Sequence, residues 1–167
     1  MDADTKRELN KQRRDANIIK QRLKCYGEDL ELIESLKIRI SIKRDKMGLK
    51  SGWSDSEAVQ GGGTTQEDRF NALLDDIIKA ERTMTMIELE NRAIKYSIDC
   101  LQDEDMRAIV YHVWVKHDKT MEQMSRELHL SKTSIWRKSD NALLYISNKM
   151  DIIDPFITKI ELSLIHI

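Results

Sequence analysis

The stretch Thr120–Ile146, TMEQMSRELHLSKTSIWRKSDNALLYI, decides the predicted fold of this chain. Thr120 is followed three residues later by Gln123, which is the pairing of a capping box at the start of a helix. An inner face at helical spacing follows, made of Met121, Met124, Ser125 and Leu128. The pattern predicts a short amphipathic helix that begins at Thr120.

A short turn at His129–Leu130 ends this helix. Such turns bring the backbone to a positive φ, a region that histidine tolerates better than most residues other than glycine. Ser131 is then placed to cap a second helix. Its predicted inner face holds Ile135, Ala142, Leu143 and Ile146, with Ser139 between them. The stretch therefore predicts two helices joined by a tight turn.

A third helix is predicted just before this pair. Acidic residues at 103–105 suit the first turn of a helix, where carboxylates interact favourably with the helix dipole. The spacing i, i+3, i+4, i+7, i+8 then predicts one buried stripe, made of Met106, Ile109, Val110, Val113 and Trp114. We interpret residues 102–150 as a three-helix unit.

Residues 1–46 carry a heptad pattern typical of a coiled-coil helix. Its two series are Leu9, Ala16, Leu23, Leu30 and Gln12, Ile19, Tyr26, Ile33, Ile40. Gly27 interrupts the helix and costs roughly 1 kcal/mol relative to alanine. Residues 36–43 alternate as in a strand, but no helix breaker precedes them, so we expect the helix to continue.

A Gly/Ser-rich flexible linker is predicted for residues 47–66. A second helix with a heptad seam, meaning a stripe of apolar a and d positions, is predicted for residues 67–101. Trp53 is the one large aromatic in the linker, and Gly61–Gly63 lacks the neighbours of a phosphate-binding loop. The second seam holds Phe70, Ile77, Met84, Asn91, Ile98 and Leu73, Ala80, Ile87, Ile94, Leu101. Asn91 is the polar position in it, of a kind that fixes register or partner number. Two seams joined by a linker suggest an antiparallel hairpin, or pairing between chains.

The composition supports an all-α protein. Charged residues make up 34% of the 167 residues and aromatic residues only 5%, and Pro155 is the single proline. The net charge of −1 requires any nucleic-acid contact to come from a local patch. Cys25 and Cys100 form no motif, and neither a secretory signal nor an apolar run of membrane length is present. We expect a location in the cytoplasm, without membrane contact.

The segment Leu101–Ile146 resembles region 4 of sigma-70-type factors. The resemblance is carried by the capped helix after Thr120, the small residue Ser125, then Leu128, Ser131, Ile135 and Ala142-Leu143. Residues 15–148 as a whole resemble phage-encoded late-gene activators of the RinA/ArpU type. Two departures are His129 in place of the usual glycine and Ser125 in place of alanine. The implied fold is a coiled-coil-like helical hairpin followed by a C-terminal sigma-region-4-like helix-turn-helix.

The resemblance implies a DNA-binding surface on the second helix of the motif. The residues expected to meet base edges in the major groove are Lys132, Thr133, Trp136 and Arg137. Those expected to meet phosphates are Lys119, Thr120, Ser131 and Lys138. For Trp136, contact with bases and packing against the protein remain equal alternatives.

No feature of the sequence suggests an enzyme. His112, His117 and His129 match no zinc-binding spacing, and no nucleophile stands beside a base, so we expect no metal, cofactor or catalytic residue. Residues 151–167 follow the last strong helical pattern and are interpreted as a tail of unassigned role.

The leading hypothesis is a sequence-specific transcriptional regulator, encoded by a phage and active in the cytoplasm of a bacterial host. Its partners would be double-stranded DNA and bacterial RNA polymerase, with self-association through the heptad helices. Two alternatives remain. One is a DNA-packaging module of the small-terminase kind, which also joins this motif to oligomerising helices. The other is a coiled-coil module that binds protein through its three-helix unit.

Overall fold

A computed structural model of the chain describes residues 2–50 and 65–165, with the side chains of residues 2–48 and 65–153. Within these residues all regular structure is helical, so the predicted all-α class is confirmed. The helices are α1 (Ala3–Lys50), α2 (Gln66–Glu90), α3 (Arg92–Asp99), α4 (Glu104–Ile109), α5 (Met121–Glu127) and α6 (Lys132–Ile165). A π-helical segment, Val110–Val115, continues α4 directly.

The chain divides into two compact units. We call Leu30–Leu89 the arm unit, and Met1–Asp29 together with Glu90–Ile167 the head unit. In the arm unit, α1 and α2 share a cluster made of Ile33, Leu36 and Ile87 with Ala80 and Met84. Two ion pairs flank it, Lys43–Asp76 at 2.5 Å and Arg44–Glu81 at 2.6 Å. Residues later on α1 meet residues earlier on α2, so the two helices of this unit run antiparallel.

The heptad seam of α1 is buried only in part. Its members are buried at Ile19, Leu23, Tyr26, Ile33 and Ile40. Residues 36–43 are helical, as predicted, with Leu36 and Ile40 buried and Ile38 and Ile42 exposed. At the start of the helix, by contrast, the seam positions Leu9 and Gln12 are exposed. The seam is therefore buried at most positions from Ile19 onward, half-buried at Ala16 and exposed before it.

The second helix does not run unbroken from residue 67 to 101. It ends at Glu90, and α3 begins at Arg92 after Asn91, whose φ is −91° and ψ is 0°. The Asn91 amide donates a 2.7 Å hydrogen bond to the Asp29 carboxylate. This bond ties the residue at the break to α1. Beyond the break, Ile94 and Ile98 of α3 are fully buried, and α3 packs on α6.

Two other boundaries differ from those predicted. α1 continues to Lys50, into the predicted linker, and α6 continues to Ile165, so residues 151–165 extend a helix that contains Pro155. Trp53 and Gly61–Gly63 lie outside the described residues, and the predictions made for them stay predictions. Across residues 2–50 and 65–165, every helix lacks the apolar length needed to cross a membrane.

Gly27 allows a close approach of two backbone segments in the head unit. A Cβ atom at this position would lie 1.9 Å from the carbonyl oxygen of Val115, which is backbone and cannot move aside cheaply. The π-helical segment places Val115 there, because its wider turn brings Val110, Val113 and Val115 all into buried positions. The glycine that weakens the helix signal in the sequence is the residue that permits this packing.

Side chains that precede Gly27 on α1 extend the same contact. Immediately before it, burial raises the pKa of the Tyr26 hydroxyl above its usual range, and a hydrogen bond with the Tyr111 side chain adds to this shift. Two turns before it, the Lys20 ammonium lies 4.5 Å from the centre of the Trp114 ring, a cation–π contact. Residues 20–27 of α1 therefore hold the end of the π-helical segment.

Replacing Gly27 with alanine is expected to lower the free energy of unfolding by about 2 kcal/mol, because the methyl group overlaps the Val115 carbonyl. Urea denaturation followed by circular dichroism measures this. Gly48→Ala is the matched control, since a Cβ there meets nothing within 4 Å. It should raise stability by about 0.5–1 kcal/mol, as alanine does in a helix interior. Equal effects of the two substitutions would contradict the close approach.

Candidate nucleic-acid interface

The C-terminal three-helix unit has its own apolar core. Ile109, Val113, Met124 and Ile135 form a buried cluster that draws on α4 with its π-helical continuation, on α5 and on α6. The partly buried residues packed around it are Ala108, Trp114, Met121, Leu128 and Leu130. The inner faces predicted for the three helices meet in this core, which fixes the orientation of α5 and α6.

Polar side chains define where two of these helices begin. The Asp103 carboxylate caps α4 by accepting hydrogen bonds from the Asp105 and Met106 backbone N–H groups, at 2.9 and 3.2 Å. At α5 the predicted capping box is present. The Gln123 N–H donates to the Thr120 hydroxyl at 3.2 Å, and the Thr120 N–H donates to the Gln123 side-chain oxygen at 2.8 Å.

The turn between α5 and α6 is held by reciprocal hydrogen bonds. The Ser125 hydroxyl donates to the Leu130 carbonyl at 2.6 Å, and the Leu130 N–H donates to the Ser125 carbonyl at 3.0 Å. His129 has a φ of 54°, which confirms the positive φ predicted for this turn. Ser125, a departure from the alanine of the resembled family, thus supplies a bond that alanine lacks.

The start of α6 is capped by Ser131, as predicted: its hydroxyl accepts from the Ser134 N–H at 3.2 Å and donates to the Ser134 hydroxyl at 2.9 Å. The inner face of α6 is also as predicted. Ile135, Ser139, Ala142, Leu143 and Ile146 are all at most 1% exposed. Ser139 accepts a 2.9 Å hydrogen bond from the Trp114 indole N–H, so the buried hydroxyl ties α6 to the π-helical segment.

The four residues predicted to face bases lie together on the exposed surface of the first two turns of α6. Lys132, Thr133 and Arg137 are exposed, and so is Trp136, at 42% of its full area. The Trp136 ring is thus accessible and not packed away in the core. An exposed tryptophan between two cations supplies the stacking and charge that nucleic acids attract.

Charge is distributed unevenly over the motif. Three of its cations form ion pairs within the head unit, namely Lys119 with Glu127, Arg126 with Glu122, and Lys138 with Asp103 and Asp105. Lys132 and Arg137 have no carboxylate within ion-pair distance among the described residues. Positive charge is therefore uncompensated at the first two turns of α6.

The residues predicted to hold phosphates have internal roles. The Lys119 ammonium donates a 2.7 Å hydrogen bond to Glu127. The hydroxyls of Thr120 and Ser131 accept the backbone hydrogen bonds that cap α5 and α6. Lys138 is the clearest departure, since it is partly buried and bonds Asp103 at 2.6 Å and Asp105 at 3.0 Å. The Lys138 ammonium group joins α6 to the capped start of α4, so Lys138 lies outside the candidate interface.

The Lys138 clamp also perturbs ionisation. The hydrogen bond from Lys138 lowers the pKa of the Asp103 carboxyl below its usual 3.8. The hydrogen bonds to Asp103 and then Asp105 raise the pKa of Lys138 above 10.5. The ion pair contributes its full stabilisation at pH values well between these two pKa values. It is lost as the pH falls through the lowered pKa of Asp103, or rises through the raised pKa of Lys138.

One further candidate lies on the same face but was missed in the sequence. Asn141 follows Arg137 by one turn, at i+4, and is exposed. An amide side chain there suits bidentate pairing with adenine. The sequence signal that identifies Asn141 is its i, i+4 spacing from Arg137, one turn beyond the basic run. Asp140, exposed beside it, marks where the positive surface ends.

Comparison of the chain with protein-family models, with curated proteins and with solved structures finds no match.

Lys138→Met is expected to lower the free energy of unfolding by about 1 kcal/mol at neutral pH, since the pair is partly exposed and screened. Urea titrations at several pH values measure the difference between variant and parent. The difference should shrink as the pH falls from 3.8 through the lowered pKa of Asp103, because the carboxyl then becomes protonated in the parent as well. A difference that stays constant into acid would contradict the clamp.

Ser125→Ala is expected to cost about 1 kcal/mol, because the Leu130 carbonyl loses its side-chain donor. Ser41→Ala, at an exposed position of α1, is the control and should be neutral or slightly stabilising. Chemical denaturation of both variants provides the comparison. Equal stability of the two would mean that the Ser125 bond contributes nothing to the turn.

Proposed function

We propose that this chain is a sequence-specific double-stranded DNA-binding protein that places the first turns of α6 in the major groove. One observation carries the proposal. The exposed start of α6 presents two cations, Lys132 and Arg137, that have no ion-pair partner among the described residues, together with Thr133 and Trp136. A recognition helix reads bases with side chains of its N-terminal turns, which are the turns concerned here.

The chemistry of each side chain suits a different contact. Arg137 suits bidentate pairing with guanine, and Thr133 suits apolar contact with a thymine methyl group. Lys132 and the first backbone N–H groups of α6 suit phosphate or guanine oxygens, since the N-terminus of a helix attracts anions. Trp136 adds apolar and stacking contact. Lys119 keeps donors beyond its bond to Glu127 and suits a phosphate at the edge of the interface.

The finer proposal is a transcriptional regulator of the kind that the resemblance implies, a phage activator of late genes that works with bacterial RNA polymerase. A patch of so few uncompensated cations binds DNA weakly by charge alone. Useful affinity then requires a second copy or a polymerase partner. A packaging module and a protein-binding coiled-coil module remain the alternatives.

Arg137→Ala is expected to weaken binding to the preferred duplex by about tenfold to a hundredfold, and to relax base preference at one position. The preferred duplex is obtained by selection from a random double-stranded pool, and affinities are measured by fluorescence anisotropy at several salt concentrations. Arg92→Ala, another exposed arginine of the head unit on α3, is the matched control and should bind as the parent does.

Absence of any enriched sequence at moderate salt would reject sequence-specific binding. Equal loss in the Arg92 and Arg137 variants would reject α6 as the reading surface. A closed ring of many subunits in native mass spectrometry would favour packaging over regulation. Capture of a protein partner through Lys132 and Arg137, with DNA inert, would favour the interaction module.

A further inference from the structure

The first turns of α1 form a helix face that is exposed at Thr5, Leu9 and Gln12 and half-buried at Ala16, and no described residue covers the exposed part. The seam buried from Ile19 onward continues backward through Ala16, Gln12, Leu9 and Thr5. Leu9 is 40% exposed, and Gln12 and Thr5 are exposed too. A free helical segment of about 15 residues is marginal in water. The segment therefore has the pattern of a coiled-coil strand and lacks its partner.

The charges beside this seam are sorted by position. With Leu9 at position a of the heptad, the e positions are Lys6 and Arg13, and the g positions are Glu8 and Asp15. Within residues 2–16 both e positions are basic and both g positions are acidic, whereas the next g position, Arg22, is basic. Neither Glu8 nor Arg13 has an ion-pair partner among the described residues. Residues at e and g set the choice and orientation of the partner strand.

This sorting selects one arrangement of two identical strands. In a parallel pair, each g residue meets the e residue five positions later on the other strand, so Glu8 meets Arg13 twice, once on each side. In an antiparallel pair, e meets e and g meets g, which would bring like charges together. Lys20, the next e position, already lies over the Trp114 ring of its own chain, so it is not counted among the contacts between the two strands.

We propose that residues 2–16 of α1 pair in parallel with the same residues of a second copy of this chain. The interface is two heptads long, with Leu9 as its apolar centre and two Glu8–Arg13 pairs at its flanks. Its outward face carries Arg7, Lys11 and Arg14, at positions f, c and f. Two heptads with a polar Gln12 make a weak, concentration-dependent dimer. This inference does not depend on DNA binding by α6.

Sedimentation equilibrium of the full chain from about 10 µM to about 1 mM tests the proposal. The parent chain should pass from monomer to dimer across this range. Arg13→Glu should weaken dimerisation by roughly twentyfold, because two attractive contacts become repulsive. Adding Glu8→Lys to that variant restores opposite charges and should restore the dimer. Arg14→Glu makes the same charge change one residue away, on the outward face, and should leave dimerisation unchanged.

Disulfide formation reports the orientation. In a chain with Cys25 and Cys100 replaced by serine, Thr5→Cys and Gln12→Cys should each cross-link to the same residue of a second copy. In an antiparallel pair, a residue lies opposite its own copy only at the centre of the overlap. At most one of the two cysteine variants could then cross-link. A parent chain that stays monomeric to about 1 mM would overturn the proposal. So would equal effects of Arg13→Glu and Arg14→Glu, or a dimer that responds to neither. Circular dichroism checks that each variant keeps its helix.

Discussion

The turn between α5 and α6 is the constraint on which the candidate interface depends. Ser125 and Leu130 exchange two hydrogen bonds across it, and His129 accepts a φ of 54° in its middle. Positive φ costs a residue with a Cβ some free energy. The surrounding bonds and the burial of Met124 and Ile135 on either side offset that cost. Together with this core, the turn sets where α6 begins relative to the end of α5.

The rest of the head unit reinforces the placement of α6. Lys138 joins it to the cap of α4, and Ser139 joins it to Trp114. Trp114 is in turn covered by Lys20 of α1, and the adjacent Val115 lies against Gly27. The first two contacts use a charged and a polar side chain on the inner side of α6. The charge that remains uncompensated, on Lys132 and Arg137, lies on its outer side.

Much of this architecture was predictable because it is local. Caps at Thr120 and Ser131, the positive φ at His129 and the inner face of α6 follow from short-range spacing. The break at Asn91 was not predictable, because it involves Asp29, a residue 62 positions away. The role of Gly27 was missed for the same reason, because this glycine makes room for the Val115 backbone, which is distant in the sequence. The internal partners of Lys138 could not be predicted, because the sequence shows the charge of this lysine but not that folding places Asp103 and Asp105 beside it.

The central claim is that the outer face of the first turns of α6 meets DNA. Amide chemical-shift mapping of the ¹⁵N-labelled full chain tests this most directly, with a duplex selected from a random pool added at moderate salt. The account predicts the largest changes at residues 131–137, including the Trp136 indole N–H, with small changes in the arm unit. No changes at saturating duplex, or changes centred on residues 7–14 of α1 with α6 unaffected, would contradict it.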